Sequence, residues 1–531
     1  MRLAVAACGL ACLPMYALGA EPPAAPAATA AGEFFDVTEI RVLGNTVLPV
    51  IEVERAVYPS TGPHKSIQDV QAARAALEQA YHLAGYGTVF VDIPEQDVGN
   101  GIVRLRATEG RLDRVRVTGA RYFSDRKILA AVPAARAGQV PQLPALQSQV
   151  SALNAQTADR GVTPILKAGR TPGTVDLELR VNDRLPLHGG VTLNNRYTPE
   201  TTHLRAIVDL SYGDLFRDLQ SVAFEFQTAP QRPEDVKVYS FSYVAPLGAG
   251  GASGNLLALF AIDNNSNVAA VGTLGLLGVG QVYGVHLIHP FTPFGLFSHS
   301  VNFGADYKDF TQTVSVPGQP PDKTPIRYIN WSVVYALADH AARHDTTVNL
   351  GLNFGVRGLV NDPAEFDYKR FGAQAGYYYL RGGLEQRQVI FGGLSAYGRL
   401  GFQLTDAPLI SNEQTGLGGI DTVRGYPESI VLGDSGVNGT FELRSPTWGF
   451  FRDPSVNHVL LFLFYDAGYV SVLDTLPEQQ SRYELASYGG GLRLTAFRGL
   501  DAYVQWADPL KSVSTVERGQ SRVEFQVHYG F

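Results

Sequence analysis

The chain has 531 residues, of which 45% are hydrophobic and 18% charged, and its formal net charge is −7. This balance excludes bulk disorder, and a sequence pI of 5.9 gives no basic footprint for a nucleic acid. No apolar run approaches the roughly 18–20 residues that a membrane-spanning helix needs.

The chain starts with the pattern of a secretory signal peptide, which we predict for residues 1–20. Arg2 precedes an apolar run, and small residues for cleavage lie near Gly19. Both cysteines, Cys8 and Cys12, would leave with this segment, so the exported chain would have no disulfide and no cysteine metal site. Residues 21–33 are rich in Ala and Pro and predict a flexible leader.

Residues 34–184 contain one order of elements, β-α-α-β-β, twice in succession. We assign the first α+β unit to residues 34–110 and the second to residues 111–184, and we expect a helix pair packed on a three-stranded sheet in each. The predicted elements of the first unit are Val37–Leu43, Pro49–Tyr58, Ser66–Ala84, Thr88–Ile93 and Ile102–Thr108. Those of the second unit are Arg114–Thr118, Ser124–Val132, Ala145–Ala158, Val162–Leu166 and Thr174–Val181.

After Pro186 the helical period disappears, and segments of alternating apolar and polar residues follow. Residues 185–531 contain about sixteen such segments of roughly ten residues, with short and long connections in alternation, which is typical of an outer-membrane antiparallel β-barrel. The last segment ends in Phe531, as outer-membrane strands typically do. A soluble β-sandwich is the alternative, but it rarely needs so many strands.

Three details of this region are predicted as well. Ala373, Ala375, Tyr377 and Tyr379 alternate as in a strand, and Gly382–Gln386 is assigned to a short turn. The longest connection, residues 405–435, is expected to fold into the lumen.

Motifs for catalysis are weak. Gly433-Asp434-Ser435-Gly436 resembles the nucleophile box of trypsin-like proteases, but it ends a long loop, where Asp and Gly are ordinary turn residues. His340 and His344 could bind a metal, yet they fall in a predicted turn. Since no nucleotide motif occurs either, we predict a protein that is not an enzyme, has no cofactor or metal, and works without ATP.

One constellation is more specific. Val423-Arg424-Gly425-Tyr426 lies in the longest connection, and Glu442 and Asp466 lie in the strands that follow. A loop that folds into the barrel would bring Arg424 to these carboxylates, and a forked Arg–carboxylate bond would then hold the loop. The alternative is an arginine on an exposed loop and two acids that merely line the lumen.

These residues resemble a known family, the two-partner secretion (TpsB) transporters, which export haemolysins and filamentous haemagglutinins and belong to the POTRA-plus-barrel superfamily. The resemblance rests on Val423–Tyr426, on Phe464-Tyr465-Asp466-Ala467-Gly468 and on Phe531, and it covers nearly the whole exported chain. It implies that the two α+β units are POTRA domains in the periplasm. It also implies that Arg424 is the conserved arginine at the loop tip and Asp466 its partner on the inner wall, with Glu442 a weaker candidate.

The resemblance further implies a function. The chain would be a bacterial outer-membrane pore that exports an unfolded, TpsA-like partner exoprotein, with membrane lipid and the barrel-assembly machinery as its other partners. An assembly factor of the same superfamily would usually have more POTRA repeats, and a passive porin would have none. Family members often carry an N-terminal plug helix, but three prolines in the leader, Pro22, Pro23 and Pro26, predict no such helix of three or more turns here.

Overall fold

The computed structural model describes residues 34–199, 201–248, 254–266, 268–271, 274–314, 322–450, 453, 456–477 and 479–531. The predicted signal peptide and leader lie outside the described residues, so both stay predictions. No helix of the described residues is long and apolar enough to cross a membrane.

The first α+β unit has the predicted order of elements. Its elements are β1 (Phe35–Val37), β2 (Glu39–Leu43), α1 (Val50–Val57), a 3-10 turn (Tyr58–Ser60), β3 (Gly62–Lys65), α2 (Ile67–Leu83), β4 (Val89–Asp92) and β5 (Ile102–Glu109). The main sheet has the order β2-β5-β4, and β1 pairs separately with β3. A capping box between Ser66 and Asp69 starts α2, whose buried face includes Leu77 and Tyr81.

The second α+β unit repeats this order. Its elements are β6 (Arg111–Thr118), α3 (Asp125–Ala130), α4 (Leu143–Ala155), β7 (Arg160–Ala168) and β8 (Thr174–Asp183). The sheet has the order β6-β8-β7, which places the last strand in the middle as in the first unit.

The two units also share their tightest turn. Gly44 and Gly119 follow the first strand of each sheet, both with φ +85°, and an added Cβ would lie 2.4 Å from a backbone oxygen in either case. In both units, a carboxylate at the end of the central strand accepts a hydrogen bond from the backbone just after this glycine. Glu109 accepts the backbone N–H of Thr46 at 2.6 Å, and Asp183 accepts that of Tyr122 at 2.8 Å. The two units therefore correspond in individual hydrogen bonds as well as in their order of elements.

The rest of the chain is dominated by antiparallel strands. In chain order they are β9 (Leu187–Asn194), β10 (Arg205–Leu215), β11 (Gln220–Thr228), β12 (Lys237–Pro246), β13 (Leu256–Asn264), β14 (Val268–Val271), β15 (Leu274–Leu277), β16 (Val279–Pro290), β17 (Phe297–Val314), β18 (Asp322–His340), β19 (His344–Gly355), β20 (Tyr378–Val389), β21 (Ser395–Leu404), β22 (Thr415–Leu417), β23 (Val431–Gly433), β24 (Ser435–Arg444), β25 (Trp448–Gly449), β26 (His458–Ser471), β27 (Arg482–Ala496), β28 (Leu500–Pro509) and β29 (Arg522–Gly530). A short helix, α5 (Pro363–Lys369), lies between β19 and β20.

Within the described residues, sixteen of these strands form one closed barrel in sequence order, as predicted. The hairpins β14–β15 and β22–β23 stand apart from the barrel, and the two-residue β25 pairs with β26 beside β24. The last strand closes onto the first, with Val527 opposite Leu193. The backbone N–H of Phe531 donates to Gly189 O at 3.0 Å, so the chain end takes part in the closure.

Alternation along the strands separates an apolar outer face from the lumen. On β26 the side chains of Leu461, Leu463 and Tyr465 are exposed, whereas those of Phe462, Phe464 and Asp466 are buried. Because successive side chains point to opposite sides of a sheet, the second set faces inward. An exposed apolar outer face is what a barrel in lipid requires.

Two predicted details are wrong. Gly382–Gln386 is not a turn but lies within β20. An added Cβ at Gly382 would lie 2.6 Å from the Phe402 ring, so this glycine makes room for a cross-strand side chain. Ala373–Tyr377 precede β20 instead of forming a strand. Their alternation comes from side chains buried in an irregular segment, which single-sequence periodicity cannot separate from a strand.

Candidate functional site

The connection between β21 and β24, residues 405–434, is called the inner loop here. Its neck is the hairpin β22–β23, in which Thr415 pairs with Gly433 and Leu417 with Val431. The tip beyond the neck contains Arg424, which is 2% exposed and contacts inward-facing residues of β24 and β26. The tip of the inner loop therefore lies inside the barrel.

Arg424 binds Asp466 of β26. Its Nε donates to Asp466 Oδ2 at 2.7 Å and its Nη2 to Asp466 Oδ1 at 2.7 Å. The backbone N–H of Arg424 donates to Oδ2 as well, at 3.1 Å. Two parallel side-chain bonds fix the direction of the guanidinium as well as its distance, and the third bond fixes the backbone of the tip.

Glu442 of β24 completes the ion cluster. It accepts a hydrogen bond from Arg424 Nη1 at 2.7 Å, from Arg444 Nε at 2.8 Å and from Arg493 Nη2 at 3.1 Å. Three arginines, from the inner loop, β24 and β27, thus surround Glu442. Breaking a buried pair of this kind typically costs about 3–5 kcal/mol, because the remaining partner stays buried without its counter-charge.

Aromatic rings of the inner wall support the arginines. The guanidinium carbon of Arg424 lies 3.5 Å from the centroid of the Phe464 ring. Arg493 lies over Phe462 at 4.4 Å. A cation over an aromatic face gains about 2 kcal/mol when the pair is desolvated. The rings also exclude water from the ion pairs, which strengthens them.

The spacing of Phe464, Asp466 and Gly468 follows from the strand period. All three face inward at intervals of two residues, and Glu442 pairs with Phe464 on the neighbouring strand. A Cβ at Gly468 would lie 2.8 Å from a methyl carbon of Leu417 and 3.2 Å from one of Val423. The glycine therefore lets the inner loop approach the wall next to Asp466.

The other residues of the Val423–Tyr426 motif hold the tip in different ways. Val423 is fully buried in an apolar cluster with Leu417. Gly425 has φ +86°, a conformation that favours glycine, and its N–H donates to Glu524 Oε1 at 3.1 Å. The hydroxyl of Tyr426 donates to Lys511 O at 2.8 Å.

Glu413, near the start of the inner loop, forms a contact that the sequence did not reveal. It accepts a hydrogen bond from Lys308 Nζ at 2.6 Å, from the Tyr328 hydroxyl at 2.6 Å and from the Tyr379 hydroxyl at 2.8 Å. Its partners come from β17, β18 and β20, so no local motif marks the site. The side chain of Glu413 is 1% exposed.

Asp434, at the end of the inner loop, is a second contact that sequence reasoning missed. It is fully buried and forms a forked ion pair with Arg370, whose Nη2 lies 2.7 Å from Oδ2. The backbone N–H groups of Leu409 and Leu473 donate to it at 2.9 and 2.7 Å. In the sequence Asp434 stands in the Gly-Asp-Ser-Gly stretch, and its role is to bind an arginine and two backbone donors. Ser435 Oγ accepts from Thr405 N at 3.0 Å.

Arg196, just after β9, also binds the tip of the inner loop. Its Nε donates to Glu428 Oε1 at 2.8 Å, and it pairs with Asp421 too. Ion pairs thus hold the inner loop at Glu413, at the tip between Asp421 and Glu428, and at Asp434.

The remaining candidates have structural partners. His344 Nε2 lies 2.7 Å from Asp339 Oδ2, and His340 Nδ1 lies 3.5 Å from Asp345 Oδ1. In the part of the chain that the structure describes, no group of three or more His, Cys, Asp or Glu side chains could hold a metal ion. The cluster around Arg424 can hold the inner loop against the barrel wall.

Two family models match the chain. Residues 35–110 match the POTRA domain, ShlB-type, and residues 329–494 match the haemolysin secretion/activation protein ShlB/FhaC/HecB. The second match contains Arg424, Glu442 and Asp466. The outer membrane transporter CdiB of Dickeya dadantii (strain 3937) is 21% identical over 467 residues, which are 83% of this chain and 77% of that protein.

Solved structures show the same fold. CdiB from Escherichia coli matches with a TM-score of 0.61 and 18% identity, over 96% of this chain and 93% of that chain. BamA from Haemophilus ducreyi lacking POTRA domains 1–3 matches with a TM-score of 0.59 and 14% identity, over 94% of this chain and 100% of that chain. Both family models and the CdiB relative agree with the resemblance in the sequence: the chain contains a ShlB-type POTRA domain and a ShlB/FhaC/HecB region and is homologous to the CdiB transporters, which places it in the bacterial outer membrane with its POTRA region in the periplasm.

Proposed function

We propose that the inner loop is the plug of the secretion pore and that Arg424, held by Asp466 and Glu442, keeps it in the position from which transport starts. The observation that carries this proposal is the buried fork of Arg424 on Asp466, with both side-chain bonds at 2.7 Å. A solvated surface arginine would make no such contacts. Val423, Gly425 and Tyr426 support the same position through packing, backbone conformation and a hydroxyl bond.

The cargo is a secreted partner exoprotein of the TpsA type, which passes as an unfolded chain. The first α+β unit offers a way to receive it, because β2 and β4 are the edge strands of its main sheet. An extended segment can add a strand to such an edge through main-chain hydrogen bonds. The apolar side chain of Phe90 on β4 is exposed and provides a side-chain contact for that strand.

Transport needs no chemistry from this chain. The buried ion cluster of Arg424, Asp466 and Glu442 holds the inner loop, and we assign the protein no catalytic activity and no cofactor. Without ATP in the periplasm, folding of the exoprotein outside the cell gives the direction of transit. The exposed apolar outer face binds membrane lipid, and the strand ending at Phe531 is the segment that the barrel-assembly machinery receives.

Comparing the culture medium of cells with and without this chain tests the function. Loss of one large exoprotein from the medium, with other outer-membrane barrels at normal levels, is the expected result. An assembly factor is the second candidate, since the fold also matches BamA. In that case other barrels would be depleted from the outer membrane and no single exoprotein would be selectively lost.

A further inference from the structure

A second segment packs inside the barrel, near the start and the end of the inner loop. Residues 356–377, between β19 and β20, are called the cap segment here. It contains α5, which starts with Asp362 as its N-cap and Pro363 as its first residue. Phe366 and Ala375 are fully buried, and Tyr377 is buried as well.

The cap segment packs on inward-facing side chains of consecutive strands of the barrel wall, from β12 to β18. One apolar cluster joins Phe366 and Tyr377 to Val238 of β12, Ile262 of β13 and Tyr328 of β18. The rings of Tyr328 and Phe366 meet edge to face with 5.5 Å between centroids. Val282 of β16 and Phe310 of β17 belong to the same cluster, so the cap segment covers one continuous arc of the inner wall.

The same cluster includes Leu409 and Ile410 of the inner loop. One ion pair joins the two segments directly, and the contacts of Glu413 hold the inner loop to the wall beside the cap segment. Arg370 of the cap segment makes its forked bond with Asp434 and also donates from Nη2 to Leu473 O at 2.9 Å. Glu413 binds Tyr379, which follows the cap segment, at 2.8 Å. None of these contacts involves Arg424, Asp466 or Glu442.

We propose that the cap segment is a second gate of the pore, that Arg370 is a positioning residue that joins it to the inner loop so that both leave the lumen as one unit, and that Glu413 is a positioning residue that holds the inner loop to the wall beside it. This inference rests on the proposed function of the inner loop as a plug. The two proposals make different predictions, because loosening the cap segment should open the barrel to ions even when Arg424 is intact. Loss of the Arg370 side chain would leave the carboxylate of Asp434 fully buried without its counter-charge, which would destabilise the closed position of the cap segment.

The test is ion conduction by the purified full-length protein in planar lipid bilayers. Arg370→Ala should increase the conducting fraction of time at least tenfold over the unchanged protein, and Arg370→Lys should give an intermediate value because lysine cannot form the fork. Glu413→Gln should act in the same direction. Arg327→Ala is the matched control, because Arg327 pairs with Asp309 at 3.0 Å on β18 and β17 but is 62% exposed.

Cysteine bridging provides a variant that keeps the gate shut. The described residues contain no cysteine, and Leu473, just after β26, accepts a hydrogen bond from Arg370 Nη2 at 2.9 Å, so Arg370→Cys combined with Leu473→Cys can be bridged by a short bifunctional thiol reagent that ties the cap segment to the barrel. Bridging should stop conduction and exoprotein release, and cleavage of the bridge should restore both. Conduction by Arg370→Ala equal to that of Arg327→Ala, or free transport through the bridged protein, would overturn the inference. A failed plug hypothesis would look different: the Arg370→Ala protein would still conduct, while Arg424→Ala secreted normally.

Discussion

Arg424 and Asp466 lie 42 residues apart in the sequence and share three hydrogen bonds, two from the guanidinium and one from the backbone N–H. A single backbone or side-chain bond would leave the tip of the inner loop free to turn. The three together fix both its position and its direction. The pair therefore specifies one placement of a long connection within the lumen.

The first prediction concerns the coupling of this pair. Asp466→Ala and Arg424→Ala should each make the inner loop more accessible to protease by about the same factor. The double variant should be worse than either single one by clearly less than the sum of the two effects, because the two guanidinium bonds that the residues share can be lost only once. Cleavage rates of the inner loop in outer-membrane fractions measure this. Additive effects of the two substitutions would show that the residues act independently.

The second prediction separates the position of the inner loop from its charge. Gly468→Val leaves every ion pair in place but adds atoms where a Cβ alone would lie 2.8 Å from Leu417. It should displace the loop and lower secretion as strongly as Arg424→Ala. Gly398→Val is the control, since nothing lies within 4 Å of an added Cβ there. Equal secretion by the Gly468 and Gly398 variants would contradict the close approach.

The third prediction tests the turn that the α+β units share. Gly44→Ala places a Cβ 2.4 Å from Ala107 O at φ +85° and should destabilise the first unit by at least about 2 kcal/mol. Gly138→Ala has a similar φ of +84° but no atom within 4 Å, so its cost should be about 1 kcal/mol. Hydrogen exchange in the full-length protein measures the two costs, over residues 35–109 for Gly44→Ala and over residues 111–183 for Gly138→Ala, and equal costs would contradict the prediction.

The fourth prediction concerns pH and Asp183 in the second unit. Burial alone would raise the pKa of Asp183, but the backbone N–H groups of Tyr122, Arg121 and Phe123 outweigh it and lower the pKa below its ordinary value. A depressed carboxyl pKa stabilises the folded state above the unfolded pKa of about 4, and this contribution is lost as the pH falls through the folded value. The protection of residues 119–124 against hydrogen exchange, relative to an unfolded chain at the same pH, should therefore decrease below about pH 4. Asp183→Asn should remove this dependence, and an unchanged acid response in that variant would contradict the assignment.

The order of elements was predictable because local patterns carry it. Alternation marks the strands, and a helical period with Ser66 as a cap marks α2. The Val423–Tyr426 motif and Asp466 were recognisable by resemblance to a family. Strand limits were less certain near glycines, as Gly382 illustrates, because glycine serves both turns and close packing between strands.

The contacts of Glu413 and Asp434 could not be predicted. Their partners, among them Lys308 and Arg370, come from separate strands and from the cap segment, and only closure of the barrel brings them together. A lone acid in a polar loop has the same appearance in a sequence whether it is solvated or bound to an arginine. Asp434 shows this most clearly, since its neighbours in the sequence suggest an ordinary turn.

The most direct test of the central claim is the amount of exoprotein in the medium relative to transporter in the outer membrane for Arg424→Ala. Strand pairing does not depend on Arg424, so the variant barrel should reach the membrane at a normal level while secretion falls at least about tenfold, as expected when a buried ion pair is broken. Arg424→Lys should restore only part of it, and Arg327→Ala should have no effect. Normal secretion by the Arg424→Ala variant would contradict the account.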